Sequence, residues 1–288
     1  MPIPKIDFER VDDLIRLALT EDLGDLGDTT TLAVIPAGLS ATAELIAKSP
    51  CVCAGLPVAE RVFFKVDRSL EFSALVQDGD FCASGTVMAR IKGSARSLLT
   101  AERTALNFIQ RLCGVATTAR KYAKALADSG TQILDTRKTT PGFRNLEKYA
   151  VAVGGAANHR IGLYDRIMIK DNHRELAGME GPGGIARSVE RARQMYPQLK
   201  VQVEVDDLDE LREAVVAKAD YILLDNMDDA TMAEAVRINN RTALLEASGG
   251  ITLERLGAIG KLGVDFVSAG ALTHSVKAAD ISMDIKKD

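Results

Sequence analysis

The sequence has few cysteines and no apolar run long enough to cross a membrane. Its four cysteines include one C-x-C pair, and neither a second pair nor a nearby histidine completes a zinc site. A chain of 288 residues does not need disulfides to hold its core, so all four are expected to be free thiols. No apolar run approaches the roughly 20 residues that span a bilayer, and the N-terminal stretch is expected to form an amphipathic helix rather than a signal peptide. These absences favour a cytoplasmic protein without a membrane partner.

Signatures of several common enzyme classes are absent as well. The sequence contains no G-x-x-x-x-G-K-[ST] loop and no G-x-G-x-x-G after a first strand, which argues against a P-loop site and a Rossmann site. It contains neither G-x-S-x-G nor H-E-x-x-H. The formal net charge of −4 provides no general field that would attract nucleic acid, so any anion site must be a local pocket of basic residues.

The first part of the chain mixes helical and strand patterns. Helical periodicity occurs at 11–20 and 95–112, and a turn-rich segment occupies 24–31. Alternating apolar and polar residues predict β-strands at 41–48, 51–55, 70–76 and 86–93. A mixed α/β region is therefore expected in the first part of the chain.

Beyond residue 131, short apolar strands alternate with amphipathic helices. The predicted strands are 132–135, 166–170, 201–205, 221–225, 243–247 and 265–269. The last four begin about 22 residues apart, the length of one βα unit, and such apolar strands are typical of a buried parallel sheet. Six units favour a closed or nearly closed barrel over an open sheet, and the tail at 279–287 is a candidate seventh strand.

Polar side chains stand near the C-terminal end of nearly every predicted strand of this second region. They include Asp135, Lys138, Lys170, Glu204, Asp225 and Glu246. In barrel enzymes these strand ends surround one mouth that holds the active site. A strand that simply meets water explains one or two of these residues. It does not explain Lys170 and Glu204, because a lone charge inside an apolar stretch is costly.

Two glycine-containing turns after consecutive late strands predict a phosphate site. The turns are Ser248-Gly249-Gly250 and Gly270-Ala271. Glycine lets backbone N–H groups approach an anion closely, and loops after the last strands of barrels often bind phosphate. One such turn alone would be weak evidence, because glycine-rich turns after strands are common.

Charged residues of both signs accompany these turns. The basic residues are Arg137, Lys138, Arg144, His159, Arg160 and Lys170. Arginine suits planar carboxylates and lysine suits phosphate, although a solvated basic face is the alternative interpretation. Glu204 and Asp225 are candidates for holding Mg²⁺ together with water and substrate phosphates, or for stabilising positive charge on a sugar ring. The alternative is that these two acids only offset the basic cluster.

The sequence resembles the quinolinate phosphoribosyltransferase family at eight stretches that run in order along almost the whole chain. The stretches are EDLGDLGDTTT, ERTALNFIQRLCGVAT, DTRKTTPGFR, GGAANHRIGLYDRIMIKDNH, VQVEVDDLDE, ILLDNM, LLEASGGI and VSAGALTHS. The resemblance implies an N-terminal α/β sandwich domain, residues 1–115, and an incomplete TIM-like α/β barrel, residues 116–288. It also implies phosphoribosyl transfer from phosphoribosyl pyrophosphate to quinolinate with decarboxylation. The products would be nicotinate mononucleotide, pyrophosphate and CO₂, within NAD biosynthesis.

The resemblance also implies a role for each site residue. Quinolinate would be bound by Arg137, His159, Arg160 and an Arg103 supplied by the neighbouring subunit of a homodimer or larger assembly. The expected catalytic residues are Lys138 and Lys170, between the two substrates, and Glu204 and Asp225, near the ribose and its Mg²⁺, which they would bind directly or through water. The 5′-phosphate would lie against Ser248, Gly249 and Gly270. The other residues expected to bind phosphoribosyl pyrophosphate are Gly250, Ala269 and Ala271, together with Lys138, Lys170, Glu204 and Asp225.

Two rival interpretations remain at this point. A paralogue with the same fold and another acceptor, such as one found beside molybdenum-transport genes, is disfavoured by the intact set of basic residues. A non-catalytic regulator that binds phosphosugars would not need lysines and acids at one mouth. The sequence departs from the family at Phe143, where leucine is frequent, and at Asp206, where glutamate is frequent; neither is assigned to chemistry.

Overall fold

The computed structural model describes residues 3–287 and divides into two compact units that are interleaved along the chain. Within the described residues, the first unit contains the chain up to Arg120, Thr140–Gly155 and the chain from Leu272. The second contains Lys121–Thr139 and Ala156–Ala271. The division into 1–115 and 116–288 stays a prediction, and the compact units differ from it by the segments that return to the first unit.

Twelve β-strands occur among residues 3–287. In chain order they are β1 (Ser40–Ala47), β2 (Cys51–Val52), β3 (Glu71–Ala74), β4 (Phe81–Cys82), β5 (Val87–Ser94), β6 (Gln132–Leu134), β7 (Ile167–Ile169), β8 (Val201–Val205), β9 (Tyr221–Asp225), β10 (Leu244–Ser248), β11 (Phe266–Ser268) and β12 (Ile281–Lys287). Each of the ten predicted strands overlaps one of these, and the two-residue β4 had no counterpart in the sequence pattern.

Ten α-helices accompany the strands over the same described residues. They are α1 (Phe8–Leu23), α2 (Thr29–Val34), α3 (Leu56–Val66), α4 (Ala95–Ala125), α5 (Arg144–Val153), α6 (Asp171–Leu176), α7 (Gly184–Met195), α8 (Leu208–Val216), α9 (Asp229–Asn239) and α10 (Leu253–Ile259). Aspartate side chains accept backbone N–H groups at the start of α1, α2, α8 and α9, which satisfies donors that a helix leaves open. None of the described helices is both long and apolar enough to cross a membrane.

The first unit contains a four-stranded antiparallel sheet in the order β12-β1-β5-β3. The predicted assignment of the tail to a seventh barrel strand is therefore wrong, because β12 pairs with β1 instead. Its residues alternate, with Ile281 and Met283 buried and Lys286 bonded to Glu44 on β1. Such one-sided burial suits an antiparallel sheet, whereas barrel strands are buried on both faces.

The second unit contains a six-stranded parallel sheet in the order β6-β11-β10-β9-β8-β7. The first strand of the unit lies beside the last, and the others follow in chain order, which is the cyclic order of a barrel. In the described sheet β6 and β7 are the two edges, so the barrel is incomplete, as predicted. Each of its six strands coincides with a predicted strand to within two residues at either end.

All four cysteines are buried free thiols, which confirms the prediction made for them. Burial raises the pKa of the Cys82 thiol to about 11, so the reactive thiolate is scarce at neutral pH. Across residues 3–287 no group of three or more His, Cys, Asp or Glu side chains is arranged to hold a metal ion.

Candidate active site

A cavity of about 690 Å³ opens at the C-terminal ends of the parallel strands in the second unit. Residues at or after the ends of several strands line it, from Thr136 after β6 to Ser268 at the end of β11. A second cavity, of about 910 Å³, lies at the opposite strand ends beside Lys218 and Asp265. We assign the chemistry to the first cavity, because cations, carboxylates and a glycine turn converge there.

Ten of the predicted site residues line this cavity. They are Arg137, Lys138, His159, Arg160, Lys170, Glu204, Asp225, Ser248, Gly249 and Gly250. Three others, Ala269, Gly270 and Ala271, follow β11 without being among the lining residues. Arg103 is exposed on α4 in the first unit. The structure thus brings together most of the predicted set, and the roles of these residues stay predictions.

An ion pair and a second carboxylate occupy one side of the cavity. Lys170 follows β7, and its Nζ bonds to Oε2 of Glu204 on the neighbouring strand β8. Asp225 ends β9, where it accepts a hydrogen bond of 2.9 Å from Nδ2 of Asn226. Asp225 also lies in register with Ser248 of β10. The carboxylate and the glycine turn that follows Ser248 therefore lie side by side at the C-terminal ends of adjacent strands.

Two arginines form a cationic region elsewhere in the cavity. Arg160 is buried, and its Nη1 donates to the backbone oxygen of Arg166 at 2.8 Å. Burial lowers the pKa of Arg160, and the positive charges of Arg137 and Arg166 lower it further. The buried guanidinium of Arg160 thus carries two energetic penalties, the loss of water and the repulsion from neighbouring arginines. An anionic ligand would offset both, so this part of the cavity favours one.

The His159 ring has a partner at each nitrogen. Its Nδ1 accepts the backbone N–H of Arg160 at 2.7 Å, and its Nε2 lies 3.2 Å from Oε2 of Glu246. The backbone N–H of His159 donates to Asp135, a fully buried carboxylate that follows β6. His159 is therefore tightly held, and its predicted contact with a substrate stays a prediction.

The turn after β10 has a backbone that only glycine adopts easily. Gly249 has a φ of +87°, and a Cβ at this position would lie 2.1 Å from Oδ1 of Asn226. Gly250 follows with a φ of +56°. Backbone N–H groups of such a turn can face an anion without an intervening side chain, which is the property that the sequence predicted for this segment.

Two residues near the cavity, the buried Gln202 and the half-buried Arg166, were not predicted to belong to the site. Gln202 lies inside β8, is fully buried, and donates from Nε2 to Glu246 at 2.8 Å. Arg166 donates to Oε1 of Gln202 at 3.3 Å and stacks on the ring of Tyr221 at 3.9 Å. A polar glutamine in the middle of the apolar run VQVEV was the available signal, because buried amides need hydrogen-bond partners.

Comparison with known proteins identifies family models over nearly the whole chain. The model described as the N-terminal domain of quinolinate phosphoribosyl transferase matches residues 28–113. The model described as the C-terminal domain of the same enzyme matches residues 115–284.

Curated relatives and solved structures agree with these models. A quinolinate phosphoribosyltransferase (decarboxylating) of Nicotiana tabacum, named as mitochondrial, is 42% identical over 98% of this chain and 83% of its own length. A nicotinate-nucleotide pyrophosphorylase (carboxylating) of Oryza sativa, named as chloroplastic, is 42% identical over 98% of this chain and 78% of its own. The structure of the nicotinate-nucleotide pyrophosphorylase of Francisella tularensis has a TM-score of 0.92 and 40% identity, covering 99% of both chains.

Proposed function

The chain belongs to the quinolinate phosphoribosyltransferase family, and from that premise we propose how its cavity carries out the family's reaction. The enzyme transfers a phosphoribosyl group from phosphoribosyl pyrophosphate to quinolinate and releases CO₂ and pyrophosphate. The product is nicotinate mononucleotide, a precursor in NAD biosynthesis. The observation that carries the proposed mechanism is the meeting of Arg137, Arg160, Lys170, Glu204 and the Ser248-Gly249-Gly250 turn at one cavity.

Quinolinate would be bound through its two carboxylates by Arg137 and Arg160. The repulsion between these guanidinium groups, which helps to lower the pKa of Arg160, supports this assignment. A dianion placed between them would neutralise both, and arginine presents paired N–H donors that match a carboxylate. His159 would contribute by holding the backbone of Arg160.

Phosphoribosyl pyrophosphate would lie on the side of the cavity that contains Lys170, Glu204 and Asp225. Its 5′-phosphate would accept hydrogen bonds from backbone N–H groups of the Gly249-Gly250 turn. Lys138 and Lys170 would face the departing pyrophosphate. As the bond from C1 to pyrophosphate breaks, positive charge grows on the ribose, and Glu204 or Asp225 would stabilise it. The ring nitrogen of quinolinate supplies the electron pair that forms the new bond to C1.

Decarboxylation follows from the charge that this transfer creates. The quaternised ring nitrogen withdraws electrons from the adjacent carbon, so the bond from that carbon to its carboxylate breaks and CO₂ leaves. The electron pair stays on the ring carbon beside the positive nitrogen and is then protonated from solvent. Arg137 and Arg160 would keep the ring in place through these steps, and no redox group is needed to balance them.

Mg²⁺ is the proposed metal, and Glu204 and Asp225 would hold it directly or through water. Burial raises the pKa of Asp206, two residues after Glu204, and the negative charges of Glu210 and Asp225 raise it further. Negative charge that accumulates in this way is relieved by a divalent cation. Two carboxylates suffice because Mg²⁺ usually keeps several waters and substrate phosphates as ligands. The ion would neutralise charge on pyrophosphate.

We propose further that the protein forms a homodimer or larger assembly in which Arg103 of one subunit reaches the quinolinate of another. This proposal rests on the resemblance of ERTALN to the family and on the exposure of Arg103 on α4. The cytoplasmic location and the absence of nucleic-acid and membrane partners stay predictions; the plant relatives described above are named as organellar.

A direct product assay tests the proposed function. The purified protein, phosphoribosyl pyrophosphate and Mg²⁺ are incubated in parallel with quinolinate, with nicotinate and with other aromatic bases. The expected result is nicotinate mononucleotide and stoichiometric CO₂ from quinolinate alone. Turnover of another base but not of quinolinate would favour the paralogue with a different acceptor. Binding of the donor without turnover of any base would favour a regulator.

A further inference from the structure

Five residues at the acceptor side of the cavity are joined, through side chains and backbone groups, in a closed ring of hydrogen bonds, called here the five-residue ring. Its members are His159, Arg160, Arg166, Gln202 and Glu246. The contacts are Arg160 N to His159 Nδ1 at 2.7 Å, His159 Nε2 to Glu246 at 3.2 Å, Gln202 Nε2 to Glu246 at 2.8 Å, Arg166 Nη1 to Gln202 Oε1 at 3.3 Å and Arg160 Nη1 to the Arg166 backbone oxygen at 2.8 Å.

The chemistry of the members fixes the direction of every bond. A backbone N–H only donates, so Nδ1 of His159 must carry a lone pair and its proton must lie on Nε2. Oε2 of Glu246 then accepts from both His159 and Gln202. Since the Gln202 amide nitrogen donates to Glu246, its oxygen faces the guanidinium of Arg166. The ring is consistent only with a neutral His159 in the Nε2–H form.

Burial makes the ring resistant to rearrangement. Gln202 and Glu246 are 0% and 1% exposed, and both lie on strands of the barrel sheet. Oε2 of Glu246 accepts from both His159 and Gln202, so losing this carboxylate would leave two buried donors unsatisfied.

We infer that Glu246 and Gln202 are positioning residues for acceptor binding: through His159 and Arg166 they hold both ends of Arg160, its backbone N–H and its guanidinium, in the geometry that receives a carboxylate. This inference rests on the proposed function, in which Arg160 binds quinolinate. Lys170 and Asp225 on the donor side have partners of their own in Glu204 and Asn226. Breaking the five-residue ring should therefore weaken the binding of quinolinate and leave the binding of phosphoribosyl pyrophosphate nearly unchanged.

Steady-state kinetics of two substitutions at one position test the inference. Glu246→Leu removes the acceptor, and we expect KM for quinolinate to rise about tenfold or more while KM for phosphoribosyl pyrophosphate changes by less than about twofold. Glu246→Gln keeps a carbonyl oxygen for both donors. Its amide nitrogen would occupy the position of Oε1, and the Ser268 hydroxyl, which interacts with the Glu246 carboxylate, would accept from it. This variant should restore KM for quinolinate to within about threefold of the wild type, since the ring is again closed.

Thr131→Val is the matched control. The Thr131 hydroxyl is buried in the same unit and donates to the backbone oxygen of Val264 at 2.8 Å, immediately before β6 and thus at the opposite strand ends from the cavity. Its loss should lower stability without changing KM for quinolinate. Equal rises of both KM values in Glu246→Leu, or a rise in the control as large as in Glu246→Leu, would overturn the inference.

The tautomer of His159 gives a second readout that needs no change in the ring. The chain has three histidines, and ¹⁵N-histidine labelling of a protein carrying His173→Asn and His274→Asn leaves the His159 signals alone. At neutral pH we expect a protonated Nε2 and an unprotonated Nδ1. The opposite tautomer or an imidazolium would overturn the inference even if the enzyme is active. An enzyme that does not convert quinolinate would instead refute the proposed function and leave this readout unaffected.

Discussion

Individual residues of the cavity could be predicted where the sequence leaves a charge at a strand end. Lys170 and Glu204 could be predicted because a lone charge inside an apolar run is costly unless it has a partner or a ligand. The structure pairs the two side chains between the neighbouring strands β7 and β8. A glutamine inside the apolar run VQVEV signals a buried polar group at Gln202 but not its partners, and Arg166 gives no local signal because Gln202 lies 36 residues away. The bond between Gln202 and Glu246 spans 44 residues, and no local pattern announces such a contact.

At the residue scale, the binding of quinolinate by arginine can be tested by substitution. Arg137→Ala removes one of the two guanidinium groups proposed to bind quinolinate, and it should weaken quinolinate binding by about 2 to 5 kcal/mol, the usual effect of removing one partner of a desolvated charge pair. Isothermal titration with quinolinate measures this directly. Arg137→Lys should bind with intermediate affinity, because it keeps the charge but loses the paired donors.

The exposed Arg191 on α7 provides a control. Arg191→Ala changes the net charge by the same amount away from the cavity and should leave quinolinate affinity unchanged. If Arg137→Ala behaves like this control, the proposed grip on the acceptor is wrong.

Secondary-structure elements could be predicted from periodicity, whereas their pairing could not. All six barrel strands follow their apolar runs, but β12 was assigned to the barrel although it pairs with β1, about 240 residues earlier in the chain. The helix α2 begins within the segment predicted to be turns, because the Asp28 side chain accepts the N–H of Thr31 at 2.9 Å. The first difference arises from a strand partner far along the chain, which periodicity does not identify. The second arises from a local N-cap aspartate inside a segment whose composition is typical of turns.

The element-scale prediction concerns the turn between β10 and α10. Gly249→Ala forces a Cβ to within 2.1 Å of Asn226 Oδ1 at a φ of +87°, so the turn must shift. We expect KM for phosphoribosyl pyrophosphate to rise about tenfold or more, since strained positions of this kind store about 1 to 3 kcal/mol. KM for quinolinate should change much less in the same steady-state assay.

Gly257→Ala is the matched control for this substitution. Gly257 lies within α10, and a Cβ there would meet nothing within 4 Å. The control should keep both KM values and raise the free energy of unfolding by roughly 0.5 to 1 kcal/mol, the gain from replacing a helical glycine. An unchanged KM for phosphoribosyl pyrophosphate in Gly249→Ala would contradict the assignment of the 5′-phosphate to this turn.

At the scale of the whole molecule, the two compact units are built from segments that alternate along the chain. The segment Thr140–Gly155 belongs to the first unit, where Arg111 on α4 donates to the fully buried Glu147 on α5 at 2.6 Å. The sequence predicted an α/β domain followed by a barrel, and the family models follow the same order. It did not predict which segments return to the first unit, because that depends on contacts between residues far apart in sequence.

A crystal structure of the assembled protein with quinolinate and a non-reactive analogue of phosphoribosyl pyrophosphate would show where both substrates bind. We expect both ligands in the cavity at the C-terminal ends of the parallel strands. The carboxylates should lie against Arg137, Arg160 and Arg103 of the partner subunit, and the 5′-phosphate against the Ser248-Gly249-Gly250 turn. Ligands ordered in the larger cavity beside Lys218 and Arg241, with the first cavity empty, would contradict it.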